Sequence, residues 1–251
     1  MCCFSGHVQR VADTNIFARS VENGRQVLVY SMTIETQREV AMILPLPVPG
    51  GTAEDAVRFI DLKEYPDFFV DLKNGFPEPA PRAYPDAKIV EATPAAVPQT
   101  LKVVEVGDFE ASFVPTVKDF SRLDARFRLP ENAWEKLPAY KAYGFAVFKL
   151  KLNATSIHPM AFEFPRADAA KVFFPTVHIH DGQVHDKASF DHVLYCQKRE
   201  ADKTSLPEWR ESEFPAGRFV KAARTQGIVD GKLHCYQRKI RGTRTNEDIL
   251  V

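Results

Sequence analysis

Four of the chain's seven histidines, His178, His180, His185 and His192, lie close together near position 185. Imidazole changes charge near neutral pH and is the commonest metal ligand, so this stretch is where the sequence first points to chemistry. In an extended strand alternate residues share a face, so His178 and His180 point one way while Val177 and Ile179 point the other. Asp181-Gly182 has the composition of a two-residue hairpin turn. Such a turn pairs His180 with Gln183, Ile179 with Val184 and His178 with His185, and directly paired side chains stand about 4.5–5.5 Å apart on one face. Three imidazoles so placed can converge on one metal ion with bonds of roughly 2.0–2.1 Å. His192 and Cys196 share a face in the next β-type run, and Asp181, Asp186 and Asp191 can accept from ring N–H groups. The same residues also suit a plainer role, the solvated polar face of a hairpin whose other face is apolar.

The second place is the start, Met1-Cys2-Cys3-Phe4. If Met1 is removed, Cys2 carries an α-amine and a thiol on one residue, which is either an N,S chelate for a soft metal or a nucleophile with its own base. In the metal reading Cys2 or Cys3 joins the histidines, and mixed thiolate and imidazole ligands favour copper or zinc, with iron a further option. In the hydrolase reading Cys2 attacks an amide. That opening resembles the Met-Cys-Gly start of class II glutamine amidotransferases, but Cys3 stands where that family has glycine. The plain alternative is that both cysteines are incidental or buried as small apolar residues. Cys235, beside His234, reads as structural.

Several classes of function are disfavoured. Lys plus Arg equals Asp plus Glu at 33 each, so no basic excess points to nucleic acid or to an anionic membrane. The basic run Arg238–Arg244 is followed by Glu247-Asp248 and reads as a solvated terminus. No run approaches 18 apolar residues, and the start lacks a charged region followed by an apolar one, so neither a membrane span nor a secretory signal is expected and the location reads as cytoplasmic. Four cysteines in such a compartment are thiols or ligands sooner than disulfides. No glycine-rich phosphate loop and no Gly-x-Ser-x-Gly elbow occurs.

The elements that would hold these residues are mainly strands. Short runs rich in Val, Ile, Phe and Tyr occur at 14–20, 25–34, 38–48, 100–106, 110–114, 144–152, 159–164, 172–180, 190–197, 218–223 and 233–240. Asn23-Gly24 marks a hairpin between the first two. Helices are expected over 53–64, capped by Thr52, and over 67–73, stopped near Gly75. Two more are expected at 118–127 and 131–136. Residues 77–98 hold six prolines and read as a connector inside one domain spanning 1–251. The expected fold is α+β and β-dominated, with mixed or antiparallel sheets and a few short helices.

The chain also resembles a family of uncharacterised bacterial domains that open with a Cys-Gly-Gly-Phe-Phe-Cys-like start and later carry a Trp-Val-Leu-Pro-Val-Pro-like segment. The matching pieces are Cys2-Cys-Phe4 and Ala41-Met-Ile-Leu-Pro-Leu-Pro-Val-Pro49. Further similar pieces are Val106–Ser112, Tyr143–Lys149 and His158–Pro165. Members of that family usually follow a secretory signal, and the opening glycines are missing here. The resemblance implies a single β-dominated domain that begins with cysteines, and it carries over no functional residue.

Three readings of function follow. The leading one is a metal-binding protein, with a redox or hydrolytic copper or zinc enzyme as its extension, using His178, His180, His185 and His192 with Cys2 or Cys3, and acting on a small-molecule or peptide substrate. The second is a binding or scaffold domain without catalysis. The third is a hydrolase with Cys2 as nucleophile.

Overall fold

The structure is a computed structural model that describes residues 2–36, 39–78, 103–107, 109–129, 134–135, 137–150, 158–179, 183–198 and 206–251. Two sheets dominate it. The first holds β1 (Cys2–Phe4), β4 (Val40–Leu46), β6 (Val104–Val106), β7 (Phe109–Val114), β8 (Gly144–Leu150) and β11 (His178–Ile179). Their order across the sheet is β11-β1-β4-β8-β7-β6. The second holds β2 (Arg10–Ser20), β3 (Arg25–Glu35), β5 (Arg58–Ile60), β9 (Met160–Pro165), β12 (Lys187–Gln197), β13 (Arg210–Glu211) and β14 (Tyr236–Thr245), in the order β13-β14-β12-β2-β3-β9-β5. A small ribbon pairs β10 (Phe173–Phe174) with β15 (Ile249–Leu250). Most neighbours are antiparallel, but β11 runs parallel to β1 and β12 parallel to β2. The protein is β-rich, with mixed and antiparallel sheets and few helices, as the sequence pattern implies.

The main core fills the space between the sheets, where Cys3, Ile43 and Phe148 of the first meet Leu28, Phe162 and Leu194 of the second. β4 is buried at every position, which is why its residues form one continuous apolar run and do not alternate. The opposite face of the second sheet carries Phe17, Val29 and Tyr195. It is covered by α1 (Phe68–Asn74), through Phe68, Phe69 and Leu72, and by the 3-10 turns Ala216–Arg218 and Ala222–Thr225. Phe17 and Phe68 meet edge to face, with ring centroids 5.7 Å apart. The β2–β3 hairpin turns on Asn23 and Gly24, whose φ values of 57° and 67° are those a type I′ turn demands.

Four expected elements differ. Residues 58–60 form strand β5, where a helix over 53–64 was expected. Val57, Ile60 and Leu62 are buried while Arg58 and Asp61 face solvent, and Arg58 sits opposite Glu163 and ion-pairs with it. The run 218–223 is not a strand but joins the end of one 3-10 turn, Ala216–Arg218, to the start of the next, Ala222–Thr225. The helix expected over 118–127 is instead two 3-10 turns, Val117–Arg122 and Ala125–Phe127. The strand expected over 172–180 is split into β10 and β11 at Pro175, which has no N–H to give a ladder. Most of the helix expected at 131–136, and the connector from 79 onward, lie outside the described residues. Among the described residues no helix is long and apolar enough to cross a membrane.

Candidate functional site

The histidine stretch does not fold as the expected hairpin. His178 is in β11, whose described partner is β1, so Cys2 and Cys3 stand in register with His178 and Ile179. β12 starts only at Lys187 and pairs with β14 and β2. His185 is exposed and outside any strand, so the proposed pairing of His178 with His185 is overturned. His180 and the turn Asp181-Gly182 lie outside the described residues, as does the side chain of Cys2.

The structure does bring His178 and His192 together. Their Nε2 atoms are 3.1 Å apart and the ring centroids 4.8 Å, both rings being buried. At that separation one ring donates a hydrogen and the other accepts it. Phe190 packs on both imidazoles, with centroids 4.6 Å from His178 and 5.3 Å from His192. On the far side His192 Nδ1 lies 3.5 Å from Asp191 Oδ1, and Asp191 Oδ2 accepts from the backbone N–H of Asp13 at 2.6 Å. The neighbouring His192 ring is the main reason the Asp191 carboxyl is held below its ordinary pKa. Asp13 can aim its N–H this way because β2 bulges between Ala12 and Asn15, with Asp13 at a φ of 53°.

The C-terminal segment stitches this cluster in place. Asn246 accepts from His178 N at 2.7 Å and donates through Nδ2 to the carbonyls of His178 at 3.0 Å and His185 at 2.9 Å. Asp248 accepts from the N–H groups of Thr176 at 2.8 Å and Val177 at 3.1 Å and from the Tyr140 hydroxyl at 2.5 Å. Burial raises the Asp248 pKa despite these donors, and burial beside Asp248 raises that of Tyr140. Asn246, Asp248, Tyr140 and Phe190 were not singled out from sequence. No local motif marks Asn246, Asp248 and Tyr140, because each acts on a segment far away along the chain.

The cysteines are occupied by packing. Cys3, Cys196 and Cys235 are fully buried thiols outside any disulfide. Burial pushes the Cys196 thiol up to about 12 and the Cys235 thiol higher still, the reverse of an activated nucleophile. Cys196 faces Ala18 and Tyr236 across the sheet and does not join the imidazoles.

The metal-binding reading is therefore corrected. Among the described residues no group of three or more His, Cys, Asp or Glu side chains is arranged to hold an ion. The cause is topological: β11 is pulled against β1, so His178 meets His192 while His185 turns to solvent.

The basic run read as a solvated terminus is instead most of β14, the strand next to β12. On its outer side β13 pairs only with Tyr236 and Gln237. The eight residues Arg238–Thr245 have no strand beyond them among the described residues. One cleft, of ≈ 750 Å³, runs along one face of this edge, lined by Arg238, Ile240, Arg244, Phe190 and Leu250. A second, of ≈ 370 Å³, lies on the other face beside Lys239, Arg241, Val193, Phe69 and Val70. Arg238 is paired with Glu208 and Lys239 with Glu78, while Arg241 donates to the Asp191 carbonyl at 3.0 Å.

The fold and these features define a β-rich chain with a buried polar cluster and an accessible sheet edge. No family model matches it. It is similar to the crystal structure of baculovirus P35, with 16% identity over 99% of this chain and 98% of that one and a TM-score of 0.47. The caspase-8/P35 complex aligns at 17% identity over 95% of each chain, with a TM-score of 0.48. In that solved structure P35 is in complex with caspase-8. The small-molecule or peptide substrate expected above belonged to the metal site and is corrected with it.

Proposed function

We propose that this protein is a single domain that works by binding another protein, with its described histidines and cysteines serving the fold. The observation that carries this reading is the outer edge of β14, which over Arg238–Thr245 has no strand beyond it among the described residues and is bordered on both faces by clefts. A strand edge offers a row of backbone donors and acceptors to a partner, and pockets on alternate sides give that partner its specificity. Two of the large apolar side chains left exposed, Leu250 at 50% and Val70 at 60%, stand in these clefts, one on each face. Thiols outside any disulfide at Cys3, Cys196 and Cys235 suit a reducing compartment, and we place the protein in the cytoplasm.

The test is reconstitution of a complex from purified components, each candidate partner being titrated into the full chain by calorimetry, with hydrogen exchange read on β14. A stoichiometric complex that slows exchange along β14 is the expected result. Binding no tighter than about 1 mM by every candidate overturns the reading, since such contacts are on the scale of non-specific encounters. Caspase-8, the partner in the solved complex, is an available probe for this titration, and the reading does not depend on it.

A further inference from the structure

We propose that His178 and His192 form a pH-sensitive latch between the two sheets, closed while at most one of the two rings is charged and opened when acid charges both. The latch goes beyond the reading of the chain as a protein-binding domain and does not rest on it.

The latch is a hydrogen bond between strands of different sheets. His178 stands in β11 of the first sheet and His192 in β12 of the second. Their Nε2 atoms are 3.1 Å apart, with His178 only 9% exposed and His192 wholly buried. Such a contact needs one hydrogen and only one. Two bare nitrogens would set lone pair against lone pair, and two protonated ones N–H against N–H. A neutral imidazole carries one N–H and one acceptor nitrogen, and a charged one carries two N–H groups.

Asp191 decides which ring donates. Its carboxyl is held below its ordinary pKa and is charged at neutral pH, and its Oδ1 lies 3.5 Å from His192 Nδ1. An anion there favours hydrogen on Nδ1 of His192. Nε2 of that ring is then the acceptor, and Nε2 of His178 donates. A first added proton goes to Nδ1 of His178. That ring becomes a cation, its Nε2–H still points at His192, and the bond is strengthened by charge. A second proton has one place left, Nε2 of His192, the atom that accepts the bond. Its uptake sets two N–H groups and two cations against each other, with ring centroids 4.8 Å apart and Phe190 packed on both.

The groups on neighbouring elements do not relieve that repulsion. On β14, Ile240 stands opposite His192, Arg241 donates to the Asp191 carbonyl, and Arg238 and Arg244 lie farther along the same cleft as Phe190. These charges are positive, and the carboxylate of Glu208 is already paired with Arg238. On β2, Asp13 gives its backbone N–H to Asp191 while its side chain is exposed. On β1, Cys3 stands in register with Ile179. In the C-terminal segment Glu247 offers a carbonyl to Thr176, and Asp248 has a raised pKa, so acid removes its charge. Tyr140 beside it has its pKa raised and stays neutral. His185 is exposed. Asp191 can balance one added charge and not two. The hold is therefore present at neutral pH and lost as pH falls on the acid side of about 6.5, the ordinary imidazole value. Asn246 still grips the backbone of His178 after the rings part, so β11 loosens without the chain unfolding.

Hydrogen exchange on the full chain, corrected for the intrinsic effect of pH, reads the latch at the His178 amide. Its protection is expected to fall at least about tenfold between about pH 7.5 and 5. Val29 and Ala161, opposite each other in β3 and β9, should change less than about threefold. Asp248 cannot produce the loss, because its own hold strengthens as pH falls. His192→Gln keeps a hydrogen-bonding group that cannot be charged, so its profile should be flat to within about threefold. A purely structural role for His192 would lower protection at every pH and leave the slope. Thermal melts check that the variant folds. If it does not, nitrogen NMR shifts of the imidazole rings in the wild-type chain decide. They must show hydrogen on Nδ1 and not on Nε2 of His192 at neutral pH, and both rings charged where the His178 amide loses its protection. Protection that does not fall, an equal fall at Val29 and Ala161, a slope kept by the folded variant, or hydrogen on His192 Nε2 at neutral pH each overturns the proposal.

Discussion

Replacing Asn246 by alanine tests how the histidine cluster is held. Its side chain makes three hydrogen bonds, two of them to the backbone of His178, which is only 9% exposed. Removing it leaves an N–H and a carbonyl of a nearly buried strand without that partner. Each such bond contributes about 1 kcal/mol net, and a buried group left unmade costs about 1–3 kcal/mol. The third bond, to the carbonyl of the exposed His185, is readily replaced by water and adds little. The expected loss is about 2–3 kcal/mol, a factor of roughly 30–150 in the unfolding constant, since 1.4 kcal/mol is tenfold. Urea denaturation followed by the fluorescence of Trp134 and Trp209 measures it, and hydrogen exchange reads the His178 amide directly. Asn246→Asp keeps the acceptor for that amide but turns a carboxylate on two carbonyls, so at neutral pH it should be no more stable than the alanine variant. A loss below about 0.5 kcal/mol with an unchanged His178 amide would refute the view that Asn246 ties β11 down.

Other expectations concern groups whose ionisation the fold shifts. Cys196 and Cys235, with thiols pushed to about 12 and above, should stay unlabelled by iodoacetamide at pH 8 in the folded chain and react in urea, as peptide mass spectrometry would show; labelling of either in the folded chain would contradict the burial described. Glu163 is hydrogen-bonded by Arg25 and Arg58, each at 2.5 Å, and these contacts outweigh burial and lower its pKa. Its contribution is therefore present above the ordinary carboxylate pKa and is lost as pH falls through the lowered value. Glu163→Gln should cost about 2 kcal/mol at pH 7, with the gap to wild type closing in acid; a gap that does not depend on pH would refute this. Asp248 runs the other way, because its pKa is raised, so its contribution is greatest below the ordinary carboxylate value and declines as pH rises through the raised one. Wild type should gain stability relative to Asp248→Asn as pH falls from 7, and parallel denaturation curves across that range would count against it.

Much of the second sheet is legible in the sequence. The Asn23-Gly24 turn and the runs around 14–20, 25–34 and 190–197 match β2, β3 and β12, because turn chemistry and β-branched density are local properties. Local pattern fails where the partner is distant. The run over 172–180 looks like one half of a hairpin, yet β11 takes β1 as its described neighbour, with Cys2 opposite His178, far away along the chain. Residues 53–64 carry a good capping residue in Thr52, but its hydroxyl donates to the Pro49 carbonyl and Arg58 is drawn to Glu163 of β9. The candidate site was legible in part. His178 and His192 do meet and Asp191 does lie beside His192, but the agents that place them, Asn246 and Asp248, act from the far end of the chain and leave no spacing to read.

Those two residues also connect the buried cluster to the open edge. β14 belongs to the second sheet through β12, and the chain passes directly from its last residue, Thr245, to Asn246 and Asp248, which grip the segment of β11 in the first sheet. β15 then closes on β10, and Val172 and Val251 exchange backbone hydrogen bonds at 2.6 and 3.0 Å. The strand edge is therefore held along its inner side and clamped beyond its end. A binding surface already fixed in this way spends little ordering entropy when a partner arrives, which favours affinity without added contacts. On this reading the histidine cluster is part of the fastening that holds the end of the β14 edge in place.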